Sequence, residues 1–268
     1  MAKKISFENE YALHKLTEKH LKELFDLEFV VSEIQLNDLR LDNLAFDLKT
    51  NSFVIIEYKN EYNANVLNQA QEYYDLIQEN RKYFTNQLDD TAEVNFENNK
   101  VMIIGPEFSQ SQINEAKTNF ELWKITLFDD GKVIYENLEN NEVKSLNINL
   151  DDLKLTENTL LEDKSEEIID LYNDFKNSLL NEFDDLDLKF LVDAVSIKAQ
   201  NEFICIVNVK NSIKIQYYTK KLEDRENKTR DISNISTGGP LSNYELTLTS
   251  ENIDYAIDLI RQVYILKR

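Results

Sequence analysis

Two apolar segments, Arg40-Leu41-Asp42-Asn43-Leu44-Ala45-Phe46-Asp47 and Phe53-Val54-Ile55-Ile56-Glu57-Tyr58-Lys59, flank a polar cluster around Lys49 and Thr50. Their β-branched and aromatic residues favour extended chain and the polar cluster favours a reversal, so together they dictate an antiparallel hairpin. With the turn centred between Lys49 and Thr50, residues equidistant from that point face one another, which sets Asp42 opposite Glu57. Strand alternation places the pairs Arg40 with Lys59, Leu44 with Ile55 and Phe46 with Phe53 on the same face. That face is apolar beside the turn and charged at its far end. Asp47 is an odd number of positions from Asp42, so it points to the other face and reads as a turn residue.

Two carboxylates side by side at the end of an apolar strand pair repel one another, and a cation between them relieves the cost. Oxygen-only ligation with open positions suits Mg²⁺ or Mn²⁺. Lys59, next in line on the same face, can hold an activated water or offset charge on a transferring phosphate. These parts fit metal-assisted phosphodiester hydrolysis. The plainer reading is an ion cluster at a sheet edge. A bare E-x-K is common, and its weight here comes from ending an apolar strand opposite an acid.

The hairpin lies within a regular alternation of patterns. Residues 8–25 carry Leu13, Leu16, Leu21, Leu24 and Phe25 at helical spacing and predict one amphipathic helix. Segments 28–36, 40–48 and 52–59 predict a meander, and residues 65–88 a helix bearing Val66, Gln69, Tyr73, Leu76 and Ile77. Residues 101–104 predict a strand buried on both faces. A helix over 109–120 begun by Ser109, then a hairpin of 122–128 and 132–138 about a two-residue turn at Asp130-Gly131, close the first region.

A helix, a meander, Asp42, Glu57-Tyr58-Lys59, then a helix with Gln69 and Tyr73: in that order, residues 7–130 resemble the PD-(D/E)XK nuclease superfamily. The helical Gln-x-x-x-Tyr pair is similar to that of its RecB-like and NucS-like branch. The resemblance implies a restriction-endonuclease-like α+β fold, a mixed sheet flanked by helices. It implies a nuclease dependent on Mg²⁺ or Mn²⁺, with nucleic acid, DNA foremost, as partner. It assigns Asp42 and Glu57 as metal ligands, Lys59 as the catalytic cation, and Gln69 and Tyr73 as residues that arrange the site and substrate. Glu10, on the Leu13 and Thr17 side of the first helix, is implied as an additional metal-facing acid, a role for which Glu18 competes. Leu41 departs from the pattern's name, which has proline before the acid. The alternative is a non-catalytic interaction or regulatory protein on a nuclease scaffold that has lost its activity.

Residues 151–190 hold thirteen acids against four lysines, with Ile168, Leu171, Tyr172 and Phe175 on one helical face, so a boundary is expected near 150–165. The chain is read as a nuclease-like domain over 1–150 and a smaller α+β domain over 160–268. The second has expected strands at 194–200, 203–209, 212–220 and 246–249 and a closing helix at 252–263. From about residue 165 it resembles a C-terminal domain of unknown function found in small prokaryotic proteins. The likeness lies in its Leu171-Tyr172 helix, its 214–221 strand and its Ile253-Asp254-Tyr255-Ala256-Ile257-Asp258-Leu259-Ile260 helix.

A net charge of −20, divided as −12 over residues 1–150 and −8 beyond, argues against broad binding to a polyanion. Nucleic acid must be held locally. Between 208 and 230 seven Lys and Arg outnumber three acids, and alternation sets Lys214, Gln216, Tyr218 and Lys220 on one face, beside Lys221. Such a set can grip phosphates and stack a base, or it is an ordinary solvated strand face. The same domain is where a second copy, forming a homodimer, or a protein partner would dock.

Cys205 lies in an apolar run, alone, which excludes an intrachain disulfide and a cysteine metal site. No stretch approaches the roughly 20 apolar residues that span a bilayer, and residues 1–4 pass straight into an amphipathic segment, so a cytoplasmic chain with no membrane partner is expected. His14 and His20 fall on different sides of a helix and read as partly exposed polar residues. Thr237-Gly238-Gly239-Pro240 lacks the lysine of a phosphate-binding loop and reads as a turn.

Overall fold

The computed structural model describes residues 2–88, 93–116, 118–233 and 244–267. The chain divides into two units, Met1–Lys154 and Leu155–Arg268. In the first, β1 (Lys4–Ile5) leads to α1 (Glu10–Lys19) and α2 (Leu21–Phe25), then to a meander of β2 (Glu28–Leu36), β3 (Leu39–Asp47) and β4 (Ser52–Tyr58). Helices α3 (Val66–Glu79) and α4 (Arg81–Thr85) cross to β5 (Lys100–Gly105), and α5 (Gln110–Glu115) crosses to β6 (Phe120–Phe128). The chain then returns through β7 (Lys132–Asn137) and β8 (Val143–Asn147).

These strands form a mixed sheet in the order β2-β3-β4-β5-β6-β7-β8, parallel across β4, β5 and β6 and antiparallel elsewhere, with β1 added to β6. Leu127 faces Val133 on one edge of β6 and Ile5 on the other, so β1 occupies the edge that β5 uses earlier along β6. All seven residues of β4 are buried, which requires cover on both faces. On one face Leu44, Phe46, Phe53 and Ile55 pack with Val66, Ala70, Tyr73 and Ile77 of α3. On the other, Ala45, Val54, Ile56 and Tyr58 pack with Leu13 and Leu16 of α1 and Leu21 of α2. Each such aliphatic side chain contributes about 1.5–3 kcal/mol by leaving water. The mixed sheet flanked by helices is the architecture the sequence predicts.

The second unit contains α6 (Glu157–Leu161), α7 (Glu166–Glu182), β9 (Leu186–Phe190), β10 (Ala194–Ala199), β11 (Glu202–Val209), β12 (Ile213–Tyr217), β13 (Arg230–Asp231), β14 (Tyr244–Thr247) and α8 (Ile253–Lys267). Its antiparallel sheet runs β13-β14-β12-β11-β10-β9. Tyr172, Phe175 and Leu179 of α7 and Ala256 and Ile260 of α8 share one core with Ile197, Val207 and Ile215. Cys205 is buried and free. No helix among the described residues is long and apolar enough to cross a membrane.

The β3–β4 register matches the sequence reading: Leu44 faces Ile55, Phe46 faces Phe53 and Asp47 faces Ser52. Asp47 Oδ1 accepts from Lys49 N at 2.8 Å, which is a turn role. Elsewhere the structure corrects the expectations. The 8–25 helix is two, because His20 N–H bonds back to Thr17 O in a tight three-residue step. The 65–88 helix breaks at Asn80, whose side chain and N–H both turn back on Leu76 O. The helix begun by Ser109 ends at Glu115, since Ala116 is already extended and β6 begins at Phe120. The turn at Asp130-Gly131 belongs to a three-residue loop 129–131, in which Gly131 takes φ +84.

Strands β1, β8, β9 and β13 lie outside the expected set; β1 and β13 have two residues each, β8 is an edge strand with one buried residue, and β9 is an edge strand whose alternation Leu186-Asp187-Leu188-Lys189-Phe190 the sequence reading passed over. The strand expected over 212–220 ends at Tyr217. Thr237-Gly238-Gly239-Pro240 lies outside the described residues.

Candidate active site at the ends of β3 and β4

Parallel β4 and β5 end together, with Glu57 beside Ile103 and Tyr58 beside Ile104. The carboxyl ends of parallel strands are where such sheets gather ligands. β3 and β4 pair as far as Asn43 and Ile56; beyond that point the Asp42 carboxylate replaces the ladder, its Oδ2 accepting from Tyr58 N at 3.0 Å. The equidistant pairing thus sets Asp42 and Glu57 at the same end of the hairpin, with the Asp42 side chain clasping the peptide next to Glu57.

Glu57 is 3% exposed. Its Oε1 accepts from Lys59 Nζ at 2.6 Å and from Gln69 Nε2 at 2.8 Å. Gln69 Nε2 also donates to Tyr73 Oη at 2.6 Å, and that hydroxyl donates to Arg40 O at 2.7 Å, fastening α3 to β3. Glu57 Oε2 is buried without a hydrogen-bond partner. Glu10 opens α1 and its Oε2 accepts from Asn60 N at 3.2 Å, just past Lys59. Asp42, Glu57, Lys59, Gln69, Tyr73 and Glu10 therefore share one neighbourhood built from four elements.

Burial first, then the charges of Asp42 and Glu10, lift the Glu57 carboxyl to about 7 against the opposing pull of Lys59. Burial and Asp42 likewise raise Glu10, while Lys59 moderates the shift. Burial alone would lower Lys59, but Glu57, Glu10 and Asp42 hold its ammonium above the ordinary range. Burial and the Glu57 charge raise the Tyr73 hydroxyl. Lys59 is thus a fixed cation, and Glu57 is the group poised to change charge near neutrality.

The opposite face of the hairpin carries a second polar group that the sequence reading missed. Tyr58 Oη donates to Asn43 Oδ1 at 2.7 Å, and Asn43 Nδ2 donates to Glu18 Oε2 at 2.8 Å. His14 stacks on Tyr58 with ring centroids 4.8 Å apart, and its Nε2 lies 3.1 Å from Glu18 Oε2. Burial would raise Glu18, but the contacts from His14 and Asn43 bring it down to about 2. Glu18 therefore serves this network, leaving Glu10 as the acid on the Asp42 and Glu57 side. His14 is buried at 7% exposure rather than partly exposed, because the Tyr58 ring covers it. The signal for this network was Asn43 itself, a polar residue inside an otherwise apolar run.

The donor set fits a hard divalent cation. Glu57 offers a buried carboxylate oxygen with nothing to bond, in the field of a second carboxylate from Asp42. Among the described residues no group of three or more His, Cys, Asp or Glu side chains is placed to hold a metal ion. Mg²⁺ and Mn²⁺ do not require one, since they commonly take one or two carboxylates and keep waters and substrate phosphates for the rest.

In the second unit, Lys214 Nζ lies 3.4 Å from Glu245 Oε1, and Gln216 Nε2 donates to Glu245 Oε2 at 2.9 Å. This strand face carries its own counter-charge. Tyr218, Lys220 and Lys221 lie past the end of β12 and border a groove of about 610 Å³ with Phe203, Leu266 and Lys267.

An uncharacterized protein of Haemophilus influenzae is 30% identical to this chain over 290 residues, covering 97% of the chain and 94% of that protein. No family model matches the chain, and no solved structure does.

Proposed function

The chain belongs to one family with the Haemophilus influenzae protein, and we propose that it is a nuclease of the PD-(D/E)XK kind, dependent on Mg²⁺ or Mn²⁺, that hydrolyses phosphodiester bonds of DNA. One observation carries the reading: Glu57 Oε2 is buried and unpartnered while Oε1 holds both Lys59 and Gln69. Leaving such an acceptor unmade costs about 1–3 kcal/mol, and a bound cation removes that cost.

Asp42 and Glu57 would hold the metal, which when bound supplies Lewis-acid activation of the phosphodiester and of a water. Lys59, held protonated by the surrounding carboxylates, offsets charge developing on the phosphate and takes no proton. Gln69 donates to the same Glu57 oxygen that Lys59 holds, which fixes the rotamer that leaves Oε2 unpartnered, and Tyr73 holds the helix bearing Gln69 against β3. Glu10 adds a third negative charge and, through Asn60, orders the chain leaving Lys59. The second unit, with Lys214, Tyr218, Lys220 and Lys221, is proposed to contact nucleic acid weakly or to dock a second copy or a protein partner. A cytoplasmic location is proposed with this reading.

Incubating the purified chain with labelled single-stranded, duplex and branched DNA in Mg²⁺ or Mn²⁺ tests the reading. Cleavage by wild type and none by Asp42→Ala is expected; no cleavage of any substrate, or equal cleavage by both, sinks it.

One contact favours a second reading, an interaction or regulatory protein on the same scaffold. Lys59 Nζ stands 2.6 Å from Glu57 Oε1, so that carboxylate already has a cation. In that case calorimetry finds no Mn²⁺ binding that depends on Asp42.

A further inference from the structure

On one edge of β6 the ladder is interrupted. Gly105 of β5 faces Lys124, the next partner on that edge is Ile5 of β1 facing Leu127, and Ile125 and Thr126 have no strand beside them there. The gap opens into a cleft of about 530 Å³ whose lining includes Lys4, Lys59, Asn60, Tyr62 and Lys124. The cleft adjoins the carboxylate cluster through two of its lining residues, since Lys59 Nζ holds Glu57 and Asn60 N–H holds Glu10.

We propose that this notch binds one nucleotide strand, so that the substrate of the adjoining site is a single strand or an unpaired end rather than a continuous duplex; the inference rests on the nuclease reading above. Among the described residues the side chains of Lys4 and Lys124 enter no ion pair, and in a chain of net charge −20 two such cations beside one cleft are free to take phosphates. Glu61 and Glu107 also line the cleft, which keeps it from being a broad positive surface. Attraction is therefore limited to one or two phosphates, too few to hold both backbones of a duplex against the acidic protein around them. Tyr62, 47% exposed at the cleft, presents a ring on which an unpaired base can stack, and a base in a duplex has no such face to offer. The volume lies in the range that encloses a small ligand, equivalent to one or two nucleotides.

Fluorescence anisotropy of the full chain with a short labelled oligothymidylate, and with a duplex of equal length, tests the proposal, with Ca²⁺ replacing Mg²⁺ to prevent turnover. Single-strand binding at least about tenfold tighter than duplex binding is expected, with a log–log salt slope near about −1.4, since each neutralised phosphate of a single strand contributes about −0.7. Lys124→Gln should flatten that slope by about 0.7, and Tyr62→Ala should weaken binding about fivefold or more, stacking being lost. Lys49→Gln, in the turn at the opposite end of β3 and β4 from Lys59, should change neither.

Duplex binding equal to or tighter than single-strand binding, or affinity unmoved by Lys124→Gln, Lys4→Gln and Tyr62→Ala, overturns the cleft assignment. Metal-dependent cleavage of duplex unaffected by these variants would leave the nuclease reading intact and remove the single-strand inference alone. Conversely, strand binding that depends on Lys124 without any cleavage keeps the cleft and removes the nuclease reading.

Discussion

The backbone N–H of Tyr58 donates to Oδ2 of Asp42 across 3.0 Å, so the acid of β3 is tied to the peptide that follows Glu57. The tie fixes one carboxylate next to another at the end of a buried strand. Asp42→Asn keeps an acceptor for Tyr58 and removes the charge. We expect a folded variant with nuclease turnover reduced more than about 100-fold, and a Glu57 carboxyl that titrates lower because a repelling neighbour is gone. Steady-state cleavage and carboxyl-selective NMR titration check the two halves separately.

Metal affinity should depend on pH in a definite direction. Without metal, Glu57 holds its proton up to about 7, mainly through burial and then through Asp42. Binding a cation must displace that proton, so Mn²⁺ affinity measured by calorimetry should rise as pH increases from about 5 to 8 and level off above the Glu57 value. Proton release should accompany binding below that value. A flat profile over this range would contradict a site that uses Glu57.

The same shift makes a stability prediction. An acid raised from 4.5 in the unfolded chain to about 7 in the folded one binds its proton more tightly when folded. Metal-free stability therefore falls as pH rises through that window, by on the order of 3 kcal/mol for this group. Glu57→Gln keeps an acceptor for Lys59 and Gln69 and cannot ionise. It should melt higher than wild type at about pH 8, melt alike below the window, and have no activity, the exchange expected where function requires a destabilising buried charge. Calorimetric melting at both ends of the window reads the effect.

Tyr73 joins α3 to β3 through Arg40 O and receives Gln69 on its hydroxyl oxygen. Tyr73→Phe removes both bonds with little change of volume, so a loss of about 1 kcal/mol in urea denaturation is expected. Turnover should fall about tenfold while substrate affinity holds, because Glu57 loses the brace on its partner Gln69.

The sequence reading reached the hairpin because two long apolar runs about one polar break admit a single register that buries Leu44, Phe46, Phe53 and Ile55 together. Asp42 and Glu57 followed from that register alone. Gln69 and Tyr73 could be placed on a helix, yet their bonds to Glu57 and Arg40 depend on how α3 crosses the sheet, which periodicity does not encode. His14 looked solvated because an amphipathic pattern says which face is apolar and not that Tyr58 will cover a histidine at its margin. Edge strand β8 has one buried residue and no alternation to read, whereas β9 alternates as Leu186-Asp187-Leu188-Lys189-Phe190 and was legible though passed over, and the helix breaks at His20 and Asn80 were hidden because they are backbone turns that no glycine or proline announced. The cleft beside Lys59 depends on β1 and β5 sharing one edge of β6, although Lys124 inside the apolar run of β6 was a visible hint.

Anomalous diffraction from crystals of the full chain soaked in Mn²⁺ at about pH 8 tests the metal site most directly, since at that pH Glu57 is free of its proton. A peak coordinated by Glu57 Oε2 and the Asp42 carboxylate, absent from Asp42→Ala crystals, is the expected result. No peak between these two residues, with Lys59 still bound to Glu57 and the metal elsewhere or nowhere, would contradict it.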